Sequence, residues 1–185
     1  CILGASRCVA VNPSDTAPVL VALGAEMVVR RGSAERVVSA EDYFVGPEID
    51  IERMTVLEPG DLLTSIRIPS TWAGARVYFE KIRDRDTWDF PLVNVATALR
   101  ENGGMIEDAR VVVNGVAPTP VRLTAVEDAI RGQARNEQTA ERAGSVAIQG
   151  VAPLTHNCHL HTSDAADDPT RVDSGRRRIM KHKSQ

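Results

Sequence analysis

The densest group of chemistry-bearing side chains is His156-Asn157-Cys158-His159-Leu160-His161. Imidazole and thiolate donors at this spacing can ligate a soft metal, but the tract lacks the remote second half that completes a zinc site. No metal is assigned to it. Cys1 and Cys8 are the remaining thiols, and three unevenly spaced cysteines do not make a disulfide framework. Two nearby thiols also fall short of the four that an iron–sulfur cluster needs, so Cys8 reads as a small buried residue. Asp15 stands where a helical pattern begins. A carboxylate there can cap the helix or accept hydrogen bonds from hydroxyl groups. Lys81 lies among Glu80, Arg83 and Asp84 and reads by itself as a salt-bridged cation. Leu63, in an extended apolar stretch, reads as core. No residue is assigned a catalytic role.

The elements that must position these residues follow from pattern and punctuation. Residues 14–24 predict a helix: Ser14 or Asp15 can cap it, Pro18 suits its first turn and Gly24 its end. Strands at 25–30 and 36–38 flank the turn Arg31-Gly32-Ser33 as a hairpin. Ser39 to Phe44 predicts a single helical turn, stopped by Gly46-Pro47. Residues 62–68 alternate as a strand, with Leu62, Thr64, Ile66 and Ile68 expected on one apolar face, ended by Pro69.

The polar, glycine-containing stretch 70–75 is expected to be a domain boundary. Extended segments follow at 76–83, 92–101 and 107–115, and Asn102-Gly103-Gly104 is a hairpin turn between the last two. A capping box of Thr124 and Glu127 should open a helix ending at Gly132, and a second helix fits 137–147. The fold class is therefore α+β, the second unit being a small antiparallel three-stranded sheet with helices.

Composition narrows the function classes. Of 185 residues 43% are hydrophobic, enough for a packed core, and a net charge of -3 provides no basic footprint for nucleic acid. No apolar run reaches the roughly 18 residues of a membrane helix, and the N-terminus lacks the pattern of a signal peptide. The cysteine usage predicts a cytoplasmic setting. Without an initiator Met, the sequence is expected to begin within a longer protein. Residues 158–185 hold few large apolar side chains and are expected to form a disordered tail.

Four ordered blocks carry a resemblance. Val11-Asn12-Pro13-Ser14-Asp15-Thr16-Ala17-Pro18 resembles the "hPSDxAPAL" segment of the FAD-binding subunits of molybdenum hydroxylases, the xanthine dehydrogenase and carbon monoxide dehydrogenase family. Asp61-Leu62-Leu63-Thr64-Ser65-Ile66-Arg67-Ile68-Pro69 is similar to that family's "E-x-L-x-x-I-x-I-P" strand. Phe79-Glu80-Lys81-Ile82-Arg83-Asp84-Arg85, continued by Asp89-Phe90-Pro91-Leu92-Val93-Asn94-Val95-Ala96, resembles its "Y-x-K-x-x-x-R" block and the following "V-x-V-A". Gly115-Val116-Ala117-Pro118-Thr119-Pro120-Val121-Arg122 resembles the turn into its helical end.

The resemblance implies that residues 1–72 are the second lobe of a two-lobe FAD-binding domain, truncated at its N-terminus, and that 75–157 are the C-terminal domain of the same subunit. It implies FAD as cofactor, with Asp15 meeting the ribityl and flavin portion, Leu63 packing on the isoalloxazine ring and Lys81 close to the flavin. A cation there would favour the reduced, anionic flavin. Partners are implied as well: a large subunit with a molybdenum cofactor and a small subunit with [2Fe-2S] clusters, the electrons passing through FAD to NAD or another acceptor. One branch of the family uses a cysteine comparable to Cys8 in an extra cluster. The family's pyrophosphate-binding loops have no counterpart in this chain, so by itself it is expected to bind FAD weakly or not at all and to be inactive alone. At Cys158 the chain departs from the family pattern, a break that a changed reading frame would produce. The alternative reading is a non-catalytic partner-binding module that keeps the fold without FAD.

Overall fold

A computed structural model describes residues 10–152, which build two antiparallel sheets separated by a short helix. The first sheet has the order β2-β1-β3, formed by β1 (Glu26–Arg31), β2 (Ala34–Ser39) and β3 (Leu62–Arg67). The second has the order β4-β5-β6-β7, with β4 (Arg76–Ile82), β5 (Val93–Asn102), β6 (Met105–Asn114) and β7 (Val121–Arg122). Its three long strands are those the sequence predicts. The fourth is a two-residue strand after Pro120, too short to leave any period in the sequence, so the sheet has four strands rather than three.

Helix α1 (Ala17–Ala22) lies between the sheets. Its buried Val21 and Ala22 share one core with Met27 and Val29 of β1 and with Ala96 and Val112 of β5 and β6. Alanine at 96 and 98, both fully buried, leaves the second sheet flat enough for the helix to approach. The opposite face of that sheet carries Ala109, Val111, Val95 and Leu99. It is covered by α3 (Thr124–Ile130) and α4 (Glu137–Ala147), through Val126, Ile130, Ala143 and Val146. The alternating burial of β5, with Asn94, Ala96 and Ala98 inward to α1 and the residues between them toward the helices, is the period-two signature of a strand between two layers.

Turn chemistry follows the glycines. Gly103 and Gly104 both take positive φ, 58° and 81°, and close the β5–β6 hairpin with the two-residue turn that suits strand twist. Gly115, at φ 83°, ends β6 where a Cβ would meet the Pro91 and Leu92 carbonyls at 3.3 and 3.4 Å, so no other residue lets these segments close. The turn at 40–43 (α2, Ala40–Tyr43) is capped by Ser39, whose hydroxyl accepts the Asp42 N–H at 3.1 Å.

Three local expectations change. Neither candidate cap of α1 is its N-cap, which is Thr16 with no side-chain capping bond: Ser14 Oγ accepts the Ala17 N–H at 3.1 Å from two residues further back, while Asp15 bonds Lys81. Thr124 and Glu127 form no capping box. The N-cap is Leu123, and Glu127 is buried against Arg122, an ion-pair partner that competes better than an exposed backbone amide. The strict alternation expected of β3 is broken by a bulge: Val29 pairs with Leu63 but Val28 with Ser65, leaving Thr64 unpaired. The bulge moves Leu63 onto the same face as Ile66, which pairs with Met27. Residues 70–75 contain a 3-10 turn, Ser70–Trp72, and Trp72 is buried with the Arg100 guanidinium 5.4 Å over its ring.

Candidate functional site

The segment Asn12–Thr16 leads into α1 across the inward face of the second sheet, and a chain of polar contacts pins it there. Asn12 donates its backbone N–H to the Ala117 carbonyl at 2.9 Å, and its Oδ1 accepts the Ser14 N–H at 3.0 Å. Asn114, on β6, donates from Nδ2 to Asn12 Oδ1 at 3.2 Å and to the Ser14 carbonyl at 2.7 Å. Asn94, its direct cross-strand partner on β5, donates to the same carbonyl at 3.2 Å and to Asp15 Oδ1 at 3.2 Å. Lys81, opposite Asn94 on β4, donates to Asp15 Oδ2 at 2.7 Å. Three side chains from adjacent strands thus hold one turn of the chain.

Lys81 also donates to the Asp89 carbonyl at 2.8 Å, which ties it to the loop between β4 and β5. That loop is stapled by Asp89 itself, whose Oδ2 accepts the N–H groups of Arg85 at 2.7 Å and Asp84 at 2.9 Å. Those amides, the Arg85 N–H first, hold the Asp89 carboxyl below its usual range. An ammonium has three N–H donors, and these two partners leave one for a ligand. The side chain of Lys81 is 17% exposed and that of Asp15 46%, so the pair opens to solvent on the Asp15 side.

The structure therefore brings Asp15 and Lys81 together from positions 66 residues apart. Leu63 lies on the other sheet, half-buried, packed on the core that α1 shares. Glu41 of α2 approaches Arg110 and Arg122 of β6 and β7, at 4.0 and 3.7 Å, while β3 and β4 are edge strands of their respective sheets. Ile66 and Ile68 are exposed on the β3 edge. Val77 and Phe79, which pair with Ala98 and Ala96 on the α1-facing side of the sheet, are exposed on the β4 edge. Exposed apolar side chains on β4, with a cation and a carboxylate at its end, offer contacts suited to a flat, largely apolar group with a polar rim and hydroxylated tail. The donor set fits the flavin and ribityl portion of FAD.

Sequence reasoning missed Asn12, Asn94, Asn114 and the loop-closing role of Asp89. Asn94 left a trace, a polar residue at an inward position in the row Asn94, Ala96, Ala98. The two amide carbonyls Asn94 Oδ1 and Asn114 Oδ1 are buried with no donor among the described residues, each a burden of about 1–3 kcal/mol. Rotating either amide would not relieve this, because it would set oxygen against the Ser14 carbonyl. Lys81 carries a signal of its own: it is the single lysine of residues 1–180, against 19 arginines in the chain. A compact ammonium stands here where guanidinium is used nearly everywhere else.

Away from this site, Asp61 joins the β1–β2 hairpin to the start of β3. Its buried carboxylate accepts from Arg31 Nε at 2.7 Å and Arg36 at 2.6 Å, and the Arg31 hydrogen bond above all holds its pKa far below the usual carboxylate range. Cys1, Cys8, the 156–161 tract and the 158–185 tail lie outside the described residues. Among the described residues no cluster of His, Cys, Asp and Glu could hold a metal, and no helix is long and apolar enough to cross a membrane.

The described residues define a fold of the mixed α and β class, with paired antiparallel sheets. Comparison with known proteins narrows the class. Residues 3–71 match the family of the FAD binding domain in molybdopterin dehydrogenase, and residues 77–162 match the CO dehydrogenase flavoprotein C-terminal domain. The chain is 28% identical over 143 residues to the carbon monoxide dehydrogenase medium chain of Hydrogenophaga pseudoflava, covering 77% of this chain and 48% of that one. It is 32% identical over 145 residues to the nicotine 6-hydroxylase medium subunit of Paenarthrobacter nicotinovorans, covering 78% and 47%. Among solved structures, Hydrogenophaga pseudoflava carbon monoxide dehydrogenase lacking the Mo-pyranopterin moiety matches with a TM-score of 0.66 at 30% identity, over 77% of this chain and 47% of that one. Quinoline 2-oxidoreductase from Pseudomonas putida 86 shares the fold, with a TM-score of 0.67 at 24% identity over 87% and 55%.

The chain belongs to the FAD-binding medium subunits of the molybdenum hydroxylase, or xanthine dehydrogenase, family. FAD is the cofactor that this membership assigns. The chain spans about half the length of the curated relatives it matches. The alternative of a non-catalytic partner-binding module draws no support from these relatives.

Proposed function

We propose that this chain supplies one wall of the FAD site in a molybdenum hydroxylase, with residues 1–72 as the second lobe of the FAD-binding domain and 75–157 as its C-terminal domain. The observation that carries the reading is the Asp15–Lys81 pair, a carboxylate and an ammonium 2.7 Å apart beside the exposed apolar Val77 and Phe79 of β4. Asp15 accepts hydrogen bonds from the ribityl hydroxyls. Lys81 presents its remaining N–H to the electron-rich edge of the ring, and Leu63 packs against the ring face. The charge on Lys81 stabilises added negative charge beside it, so this chain sets how readily the cofactor is reduced.

When bound, FAD accepts electrons and passes them on. In this reading they arrive from a molybdenum-containing large subunit through the [2Fe-2S] clusters of a small subunit and leave to NAD or another acceptor. The relatives, named as medium chains or subunits of such dehydrogenases, support this arrangement. A cytoplasmic location accords with three unevenly spaced cysteines that do not make a disulfide framework. The first test follows flavin fluorescence on mixing the chain with FAD, with and without an upstream FAD-binding lobe supplied in trans. Binding that requires the lobe supports a shared site. Failure to bind in both mixtures overturns the reading.

A further inference from the structure

Asn94 and Asn114 stand directly opposite each other on β5 and β6, next to Ala96 and Val112 in a face that continues to Ala98 and Arg110. They are 1% and 0% exposed, and both leave their own carbonyl oxygens without a donor. Alanine or valine at either position would match the neighbouring residues and remove two orphaned acceptors from the interior. Polar residues that weaken a core in this way are kept for what their other atoms hold.

Here the other atoms are the two amide nitrogens, and they converge. Both donate to the Ser14 carbonyl, at 3.2 and 2.7 Å, and Asn94 donates in addition to Asp15 Oδ1 at 3.2 Å. Asp15 Oδ1 and Oδ2 are thereby separately held, one by Asn94 and one by Lys81, which fixes the rotation of the carboxylate as well as its place. Lys81, Asn94 and Asn114 are successive cross-strand partners on β4, β5 and β6. The sheet register therefore sets the distance between the cation and the two amides without any further device.

We propose that Asn94 and Asn114 are positioning residues for the Asp15–Lys81 pair: Asn94 orients the Asp15 carboxylate, and Asn114 holds the Ser14 carbonyl that carries Asp15 into reach. This rests on the FAD reading only for its consequence, since the alignment of Asp15 on Lys81 is a property of the chain itself. The arrangement sets the carboxylate before any ligand arrives, so the ligand loses less freedom on binding.

The test separates these two levels. The chain has three lysines, Lys81, Lys181 and Lys183, so ¹⁵N-lysine labelling yields few ammonium signals, and Lys81→Arg assigns the one of interest. In the FAD-free chain the Lys81 ammonium, held by two acceptors, should exchange slowly enough with water to be seen at low temperature. Asn94→Ala should abolish that signal or shift it to the position seen in Asp15→Ala, and Asn114→Ala should shift it in the same direction by a smaller amount. Unchanged Lys81 resonances in a folded Asn94→Ala chain overturn the proposal. Should alanine at 94 prevent folding, Asn94→Ser, which keeps a donor but cannot span 3.2 Å to both acceptors, carries the same two outcomes.

The second readout is FAD affinity of the chain combined with the upstream FAD-binding lobe. If Asn94 acts through Asp15, Asn94→Ala weakens FAD about threefold to tenfold, and Asp15→Ala with Asn94→Ala is no weaker than Asp15→Ala alone. Multiplicative losses in the double variant overturn the proposal. If Asp15→Ala leaves FAD affinity untouched, it is the FAD reading that fails, and the lysine spectrum still decides the positioning role.

Discussion

Lys81 Nζ lies 2.7 Å from Asp15 Oδ2 although 66 residues separate them: Asp15 precedes the helix between the sheets, and Lys81 stands near the end of β4, an edge strand of the sheet that the Asp15 segment crosses. Neither position is meaningful without the other, and Lys81 shares its strand with the exposed Val77 and Phe79. Because Asp15 is nearly half exposed, water screens the pair, and it is worth at most about 1 kcal/mol to the fold. Its value lies in what it presents to a ligand.

Replacing Lys81 by Met should therefore leave thermal stability within about 0.5 kcal/mol of wild type while lowering FAD affinity by about tenfold. Differential scanning fluorimetry and flavin titration measure the two effects side by side. A large stability loss with unchanged affinity would assign the pair to the fold instead.

Ala96→Leu tests whether α1 transmits packing to the site. Ala96 is fully buried under α1, and added methylenes there should cost about 1–3 kcal/mol and push the helix off the sheet. Asp15, at the helix entrance, should move with it. The expected result is weakened FAD binding together with lowered stability, whereas Ala143→Leu on the other face of the sheet should affect stability only.

Glu127 is 1% exposed, accepts the Val111 N–H at 3.0 Å and pairs with Arg122 at 2.7 Å. These hydrogen bonds keep Arg122 charged, raising its pKa above the ordinary value. Glu127→Ala strands a half-buried guanidinium and a backbone amide, and should cost about 3 kcal/mol by chemical denaturation. Glu127→Gln, which retains an acceptor for the amide, should cost less.

Asp61 makes stability depend on pH. Its folded pKa lies below its unfolded value, chiefly through Arg31, so its contribution is fully present above the unfolded carboxylate value of about 3.9. It is lost as the pH falls from there toward the folded pKa. Asp61→Asn should lower Tm by several degrees at pH 7, and the gap from wild type should narrow steadily below about pH 4. A gap that stays constant down to pH 2 would mean that Arg31 and Arg36 find other partners.

Much of this protein is legible in one dimension. The β1–β2 hairpin, the turn at Gly103-Gly104, the single turn after Ser39 and the helix at 137–147 rest on interactions within a few residues, where caps, glycines and alternation act directly. The four sequence blocks also name Asp15, Leu63 and Lys81, because residue type and order survive without a structure. The sequence alone could not show that Asp15 serves Lys81 rather than its own helix. That choice depends on a lysine 66 residues away being nearer and more strongly charged than a local amide.

The same holds for Glu127, for the bulge at Thr64 that turns Leu63 toward the core, and for the asparagine pair. Asn94 and Asn114 are twenty residues apart in the chain and become one device only when the β5–β6 register sets them face to face beneath Ser14. Local propensity writes the elements. The partner of each polar side chain is decided by which long-range competitor the packed sheets bring within hydrogen-bond reach, and only the tertiary structure settles that competition.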